Sequence, residues 1–425
     1  QGVLEEAESH FEPIISADIG ASSERTTPVT VTSYEKERSY SWNAAVMKRF
    51  TPGTEVELSW ENGSLDTDAD YYFFDPVYRN TVKLGLTPPL MKGFGSEVQE
   101  ADINSARSAQ DAQSFLLDNE AANLAAQVKL AYWDFVYAHQ NLAVLELSLK
   151  LAKRLRDDTA EKIEAGRLAN VDIYQPESEV ARREEDMISG ERAIGVAEDQ
   201  LKLLMNSQQW HERLTPSDLP DVTPKKPDIN TIMDQAFARR PDLKAGSLQI
   251  TSSEFQVAKA ENNLLPALNL VGSVGVGGVD DTYTNSIDSS LSGTDTLWQV
   301  GVTFSRPFDN SAAEGRLRQA VAQLKKNKTD LEMLKQNIRK TVRTTVRDVE
   351  LAIKAMEATS KTAIASKKSL EAEQIKFDAG RSTTLDVLTA QQGYASALSA
   401  QNRTKVIYAQ TLAELDRIQG LVSLP

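Results

Sequence analysis

The sequence predicts a mainly helical, internally duplicated chain that also contains amphipathic β-strands. The first observation is a repeated segment: residues 162–167 read Lys-Ile-Glu-Ala-Gly-Arg and residues 376–381 read Lys-Phe-Asp-Ala-Gly-Arg, an offset of 214 residues. An aspartate follows each copy at the same offset, Asp172 in the first and Asp386 in the second. The other two observations are coiled-coil spacing in long stretches and period-two alternation in two regions. A repeat of this length indicates duplication of a whole unit, since the repeats of a solenoid are much shorter.

Composition excludes several classes of protein. The net charge of −14 argues against a nucleic-acid partner, because binding the phosphate backbone needs concentrated Lys and Arg. The absence of cysteine excludes disulfides, thiolate metal sites and cysteine nucleophiles. No run of 18 apolar residues is present, which excludes a transmembrane helix but leaves transmembrane strands open, because only every second residue of such a strand must be apolar.

Catalytic and metal-binding chemistry is not predicted. The three histidines, His10, His139 and His211, are widely separated and form no cluster with the spacing of metal ligands. The glycines between residues 272 and 278 alternate along a predicted strand and do not open a helix, so they do not form a dinucleotide-binding loop. We therefore expect no enzyme activity, no cofactor and no metal.

Two regions bounded by prolines are predicted to form strands. Apolar residues alternate with polar or small residues in both, at Val56, Leu58 and Trp60 in the first region and at Trp298, Val300, Val302 and Phe304 in the second. The first region, Pro13 to Pro89, is 35 residues longer than the second, Pro266 to Pro307. This excess is enough for another pair of strands or for a long extracellular loop. Residues 280–295 of the second region are predicted to form a polar loop.

Long helices fill most of the remaining chain. The first, about residues 96–165, has apolar or small residues at the 3-4-3-4 spacing of a coiled-coil seam, from Val128, Ala131, Phe135 and Ala138 onward. A second long helix is predicted over about residues 313–379, and each long helix is followed by a shorter returning helix. The predicted segments are the end of a truncated N-terminal helix (1–12), a first strand region (13–90), a first helical hairpin (91–207), a connector (208–228), a half-length helix (229–264), a second strand region (265–308) and a second helical hairpin with the C-terminus (309–425).

In the order of these elements the sequence resembles the TolC-like outer-membrane efflux protein family. The residues that carry the likeness are Arg240-Pro241-Asp242-Leu243, Leu265-Pro266-Ala267-Leu268, the strand-ending Pro89 and Pro307, and Ala379-Gly380-Arg381 followed by Leu385-Asp386-Val387-Leu388. The likeness covers essentially the whole chain, apart from a missing N-terminal helix and the enlarged first strand region.

The resemblance implies a homotrimer whose strands share one β-barrel in outer-membrane lipid and whose helices form an α-barrel tunnel in the periplasm, with a small equatorial region. The implied function is the outer-membrane channel of a tripartite efflux or type I secretion system. Its implied partners are a periplasmic adaptor and, through the adaptor, an inner-membrane pump. The alternatives are a periplasmic adaptor, which would lack the proline-bounded strand pairs, and a soluble coiled-coil scaffold, which would need no detergent for extraction.

The resemblance also implies a periplasmic aperture where the helices turn. Gly166 and Gly380 mark the helix-turn tips, and Asp172 and Asp386 match aspartates at the aperture, which gives six carboxylates in a trimer. Arg167 and Arg381 are candidates to pair with these aspartates. A further acidic ring of the family falls on Thr389, and the family's tyrosine before the turn falls on Phe377. Thr389 and Gln175 therefore suggest a neutral polar ring in this chain.

A structural role for the same residues stays open. Each aspartate lies in the first turn of a returning helix, where the helix dipole and the free backbone N–H groups favour an acid. Asn170 and Thr383 are candidate caps of these helices. The two glycines are expected to end the long helices in a left-handed conformation.

Overall fold

A computed structural model describes residues 2–30, 33–69, 72–221, 223–293 and 295–421. The chain divides into two compact units, one of residues 1–114 and 245–331 and the other of residues 115–244 and 332–425. The helices, in chain order, are α1 (Gly2–Ser9), α2 (Ser96–Gln99), α3 (Ala101–Glu164), α4 (Tyr174–Leu204), α5 (Ile229–Arg239), α6 (Pro241–Asn262), α7 (Tyr283–Leu291), α8 (Ser311–Asp378) and α9 (Thr384–Ile418). The two long helices, α3 and α8, contribute residues to both units.

The first unit contains one antiparallel sheet of six strands in chain order. The strands are β1 (Ile14–Arg25), β2 (Lys36–Arg49), β3 (Glu55–Thr67), β4 (Val77–Thr87), β5 (Ala267–Asp280) and β6 (Asp295–Ser305). Four of them lie in the first strand region. The 35 additional residues of that region therefore form an extra pair of strands and not a long loop.

The register of the strands gives the sheet one apolar and one polar face. Leu58 lies opposite Leu84, Leu84 opposite Val274, and Val274 opposite Trp298, so these side chains form one row across four strands. Trp298 is 77% exposed in the single chain. On the other face, the Lys83 ammonium donates to a Glu61 carboxylate oxygen at 2.5 Å across neighbouring strands. The alternation predicted from the sequence is thus continuous over the sheet.

Residues 280–295 contain the helix α7, where the sequence predicts a polar loop. The helix packs against β4 and β5 on the apolar face, at the end of the sheet where β5 finishes. Its N-terminus is capped by Thr282, whose hydroxyl accepts from the Asn285 N–H at 3.4 Å. Gly278 makes the close approach feasible, since a Cβ at this position would lie 2.1 Å from the Ser286 carbonyl oxygen.

Tyr283 anchors α7 over a buried pair of amides. Its ring lies 5.3 Å from that of Trp42, and the Trp42 Nε1–H donates to the Tyr283 hydroxyl at 3.3 Å. The hydroxyl donates in turn to Asn62 Oδ1 at 3.2 Å, and Asn80 Nδ2 donates to the same oxygen at 2.5 Å. Asn62 and Asn80 are buried, so these bonds satisfy side chains that would otherwise be costly on an apolar face.

The predicted half-length helix over residues 229–264 is interrupted. Helix α5 ends at Arg239 and α6 starts at Pro241, with Arg240 between them in an extended conformation at ψ 124°. Proline has no N–H to donate and disfavours helical geometry in the residue before it, so the first helix must end here. The Arg240 guanidinium then donates to the Asp242 carboxylate at 2.6 and 3.0 Å.

The second unit is built from helices packed along the predicted seams. Helix α4 lies against α3 so closely that a Cβ on Gly190 would be 2.7 Å from a Leu145 methyl group. Most of the predicted seam positions are buried, at Ala131, Phe135, Ala138 and Ala152 in α3 and at Val342, Thr345, Val349, Ala352, Met356 and Ala363 in α8. The others are half-buried: Val128, Leu142, Leu145 and Leu149 in α3, and Thr359 and Ser366 in α8. The 3-4-3-4 spacing therefore correctly predicted the packing faces.

The connector between α4 and α5 is held to helices of the same unit. The largely buried Lys202 ammonium donates to the carbonyl oxygens of Trp210 and Glu212 at 3.1 and 2.5 Å. It also pairs with Glu198 at 2.7 Å, and the hydrogen bond from Lys202 lowers the pKa of that carboxyl. Farther along, the Tyr408 hydroxyl donates to the Thr223 carbonyl oxygen at 2.9 Å.

Within the described ranges, no helix combines the length and the apolar content that a membrane crossing requires.

Candidate functional site

The two glycine turns have the same backbone geometry. Gly166 and Gly380 both lie at φ +71°, in the left-handed region that glycine adopts without a steric penalty. Arg167 donates its N–H to the Lys162 carbonyl oxygen, and Arg381 donates to that of Lys376, each at 2.8 Å. These bonds close the ends of α3 and α8 as a left-handed C-cap. The glycines therefore have the helix-ending role expected from the sequence.

Asp386 closes the first turn of α9 in a reciprocal arrangement. Its carboxylate accepts from the Thr383 N–H at 3.0 Å and from the Thr383 hydroxyl at 2.6 Å. The Asp386 N–H donates back to the same hydroxyl oxygen at 3.2 Å. This is a capping box with Thr383 as the cap, as the sequence suggests.

Asp172 has a simpler version of this role. Its carboxylate accepts from the Ala169 N–H at 3.0 Å, and its own N–H donates to the Ala169 carbonyl oxygen at 2.9 Å. The capping position is therefore Ala169 and not Asn170, which starts the short 3-10 helix Asn170–Ile173. An alanine side chain cannot accept a hydrogen bond, so the first turn lacks the hydroxyl contact that Thr383 provides in the second.

Hydrogen bonding favours the ionised form of the second-turn acids. The hydroxyl and N–H of Thr383 lower the pKa of Asp386, with a smaller contribution from the Lys376 charge. Hydrogen bonds from Ser382 and Lys376 likewise lower the pKa of Glu373. Two carboxylates thus stay charged side by side at this exposed end of the helices.

The predicted pairing of arginines with these aspartates does not occur within one chain. Arg167 and Arg381 are exposed, and among the described residues neither forms an ion pair with Asp172 or Asp386. The polar-ring candidates are also exposed: Gln175 lies in the first turn of α4 and Thr389 in the second turn of α9. The Thr389 hydroxyl donates back to the Leu385 carbonyl oxygen at 2.8 Å.

A contact that the sequence did not predict joins the two turns. The Lys162 ammonium donates to the Phe377 carbonyl oxygen at 2.8 Å and lies 3.4 Å from the centroid of the Phe377 ring. Phe377 is buried in an apolar cluster with Leu155, Leu370, Val387 and Leu388. The corresponding lysine of the second turn, Lys376, pairs with Glu373 of its own helix at 3.0 Å. The two equivalent lysines therefore make different contacts.

The turns carry no arrangement suited to metal chemistry. Across the part of the chain that the structure describes, no group of three or more histidine or carboxylate side chains is placed to hold a metal ion. The turns instead present capped carboxylates, exposed arginines and neutral polar side chains.

Comparison with known proteins shows what the chain is similar to. The model of the family described as "Outer membrane efflux protein" matches residues 232–421. The outer membrane protein TolC of Escherichia coli is 21% identical over 286 residues, which are 65% of this chain and 57% of that protein. Nodulation protein T of Rhizobium leguminosarum bv. trifolii is 24% identical over 349 residues, 79% of this chain and 71% of that protein. The chain thus matches less than two thirds of the length of the E. coli relative.

The solved structure of the outer-membrane channel OprN has the same fold, with a TM-score of 0.72 and 18% identity over 99% of this chain and 84% of that one. Residues 232–421 of this chain are thus similar to the outer-membrane efflux protein family. The matches support the resemblance to TolC-like proteins that the sequence indicates. These similarities place the chain in the outer membrane, with a long periplasmic portion.

Proposed function

We propose that three copies of this TolC-like chain form a passive exit duct from the periplasm to the exterior. The duct would serve a tripartite efflux system or a type I secretion system. The observation that carries the proposal is the open sheet: among the described residues, β1 and β6 each pair on one side only. An open edge with free N–H and C=O groups is a site for pairing with another chain.

The edge strands of the sheet need hydrogen-bond partners, and its apolar face needs to be covered. Trp298, Val302 and Phe304 on β6 are 77%, 63% and 66% exposed in the single chain. Closure of the sheets of several copies into one barrel supplies partners for the strand edges, and outer-membrane lipid covers the apolar face. The polar face then lines a water-filled lumen.

The helices have the corresponding role in the periplasm. The long helices α3 and α8, with their returning helices α4 and α9, are the staves of an α-barrel, and the 214-residue offset supports two equivalent hairpins in each copy. The connector at residues 208–228 and the C-terminal segment belong to an equatorial region around this barrel. The anchoring of the connector by Lys202 and Tyr408 supports a fixed position for it.

The glycine turns form the periplasmic aperture. In a trimer, Asp172 and Asp386 supply six carboxylates around one axis. Arg167 and Arg381 are unpaired with these aspartates inside the described part of one chain, so they are available to the carboxylates of the neighbouring copy. Gln175 and Thr389 contribute a neutral polar ring. The partner at the aperture is a periplasmic adaptor, which links the duct to an inner-membrane pump that supplies the energy.

The first test is cell fractionation followed by imaging of the purified protein. We expect the chain in the outer-membrane fraction, released only by detergent, as a trimer with a central hole. Release into buffer without detergent would favour a periplasmic adaptor or a coiled-coil scaffold. A solitary monomer without a hole would contradict the duct.

The second test examines the two faces of β6. The chain has no native cysteine, so Trp298→Cys and Gln299→Cys each introduce a single thiol on opposite faces. In reconstituted protein, we expect an environment-sensitive label at position 298 to report lipid and a label at position 299 to report water. Water at both positions would contradict a membrane location for this strand.

A further inference from the structure

We propose that all six strands of each copy lie in the membrane wall, so that the barrel of the trimer has eighteen strands. This inference rests on the proposed trimer and specifies the diameter of its β-barrel. The second strand region supplies one pair, β5 and β6, whereas the first supplies four strands, β1 to β4. The question is whether the extra pair belongs to the wall or projects from it.

The added strands are hydrogen-bonded into the sheet over their whole length. β2 pairs with β3 from Glu37 opposite Thr67 to Arg49 opposite Glu55. β2 has 14 residues and β3 has 13, while the second-region strand β6 has 11. A strand tilted in a bilayer needs about 9–11 residues to cross it. The first-region strands are therefore long enough to span the membrane.

Both faces of the sheet continue across these strands, and the apolar face is interrupted where Asn62 and Asn80 lie beneath α7. Ala44, Trp60 and Val82 form one cross-strand row on the apolar face. The next row, Ala45, Ser59 and Lys83, lies on the polar face. A hairpin that projected into water would expose its apolar face to solvent, so an apolar face in register with that of its neighbours would not be expected there. The alternation therefore places β2 and β3 between lipid and lumen like the other strands.

The outer edges of the six-stranded sheet suit a second copy of the chain. Because the number of strands is even and the sheet is antiparallel throughout, β1 and β6 run in opposite directions. The β6 edge of one copy can thus pair with the β1 edge of the next in the same antiparallel pattern. Ile15 and Ile19 on β1 are 78% and 89% exposed and lie on the same face as Trp298 on β6. The apolar face therefore continues across the joint.

The strand number sets the diameter of the barrel. With strands about 4.8 Å apart and tilted by about 40°, eighteen strands give a backbone diameter of about 36 Å, and twelve would give about 24 Å. Barrels of 16–18 strands leave an aqueous channel, because side chains no longer fill the interior. The outer part of this duct is then wide enough to hold an aqueous channel.

Thiol labelling tests whether the extra strands are in the wall. Ala44 and Ala45 are adjacent on β2 and have identical side chains, but they lie on opposite faces. In lipid vesicles, we expect a membrane-impermeant, water-soluble thiol reagent to modify Ala45→Cys and to leave Ala44→Cys unmodified. Modification of both would mean that β2 lies outside the bilayer and would overturn the inference.

The β6 variants at positions 298 and 299 serve as the reference in the same experiment. If labelling alternates at positions 298 and 299 but not at 44 and 45, the proposed duct is supported and the eighteen-stranded barrel is rejected. If neither pair alternates, the proposed function itself fails. An electron cryomicroscopy map of the trimer in lipid supplies the direct count. Eighteen strands are expected, and a trimer with fewer wall strands would overturn the inference.

Discussion

Lys162 and Phe377 connect the two helix turns, because the Lys162 ammonium donates a 2.8 Å hydrogen bond to the Phe377 carbonyl oxygen and lies against the face of its ring. The side chain of Lys162 is only 17% exposed, so the contact is shielded from water. Lys376 occupies the same place in the second turn, but it is 57% exposed and forms its ion pair with Glu373 of its own helix. Lys376 is therefore an internal control for the contribution of Lys162.

We expect Lys162→Met to destabilise the unit by about 1–2 kcal/mol, since a partly buried cation–π contact and a charged hydrogen bond are lost. Lys376→Met should cost less than about 0.5 kcal/mol, as is usual for an exposed pair within a helix. Thermal unfolding of the two purified variants measures the difference. Equal destabilisation by both substitutions would show that the contact across the turns has no special role.

The cap of α9 gives a second prediction. Thr383→Ala removes the hydroxyl that bonds the Asp386 N–H and carboxylate, and the loss of such a cap costs about 1 kcal/mol. Thr389→Ala is the matched control, because its hydroxyl bonds only to the carbonyl oxygen one turn earlier. We expect a lower unfolding midpoint for the first variant and a change within about 0.5 kcal/mol for the second. Equal midpoints would contradict the capping role.

The stabilisation by the Asp386 charge should depend on pH. Its pKa is lower in the folded chain than the ordinary value of about 3.9. The ionised form is therefore favoured by folding, and its contribution is complete above about pH 4 and is lost as the pH falls through the lower, folded-state pKa. The difference in unfolding midpoint between the native chain and Asp386→Asn should shrink to zero on acidification. A difference independent of pH would exclude a role for the charge.

The same aspartate distinguishes a gate from a helix cap. If the proposed ring of carboxylates helps to keep the aperture closed, Asp386→Asn and Asp386→Ala should both raise the single-channel conductance in planar bilayers, and adding Asp172→Ala should raise it further. If the residue only caps the helix, only the alanine variant should change the conductance, because the asparagine oxygen still accepts a hydrogen bond. Unchanged conductance in all variants would leave the aspartates without a role in closure.

Much of the fold follows from periodicity. The strands and the long helices were predictable because each depends on a local pattern, period two at Val56 to Trp60 and 3-4-3-4 spacing from Val128 to Ala138. The reciprocal cap of Thr383 and Asp386 was predictable for the same reason, since both partners lie within one turn. Their backbone bonds need no distant partner.

The features that the sequence did not predict depend on contacts between distant residues. Helix α7 has nine residues, too few to be stable alone, and it is held by Tyr283 over Trp42 and Asn62 of strands far away in the sequence. Lys162 and Lys376 occupy the same position in the repeated segment. Their contacts differ because Lys162 reaches Phe377 of the neighbouring turn. Pro241 was a local signal for the break at Arg240. The signal was ambiguous, because a proline is also tolerated in the first turn of a helix.

In the proposed membrane barrel, the position of α7 would also define the height of the sheet in the bilayer. The buried amides of Asn62 and Asn80 lie on the apolar face, where hydrocarbon would leave them without partners. Tyr283 and Trp42 shield them with rings that suit the headgroup layer. A deeper position would draw these polar groups toward the acyl chains, and a shallower one would expose the rows from Leu58 to Trp298 to water. In the proposed barrel, the short helix would therefore limit how deeply each copy inserts into the membrane.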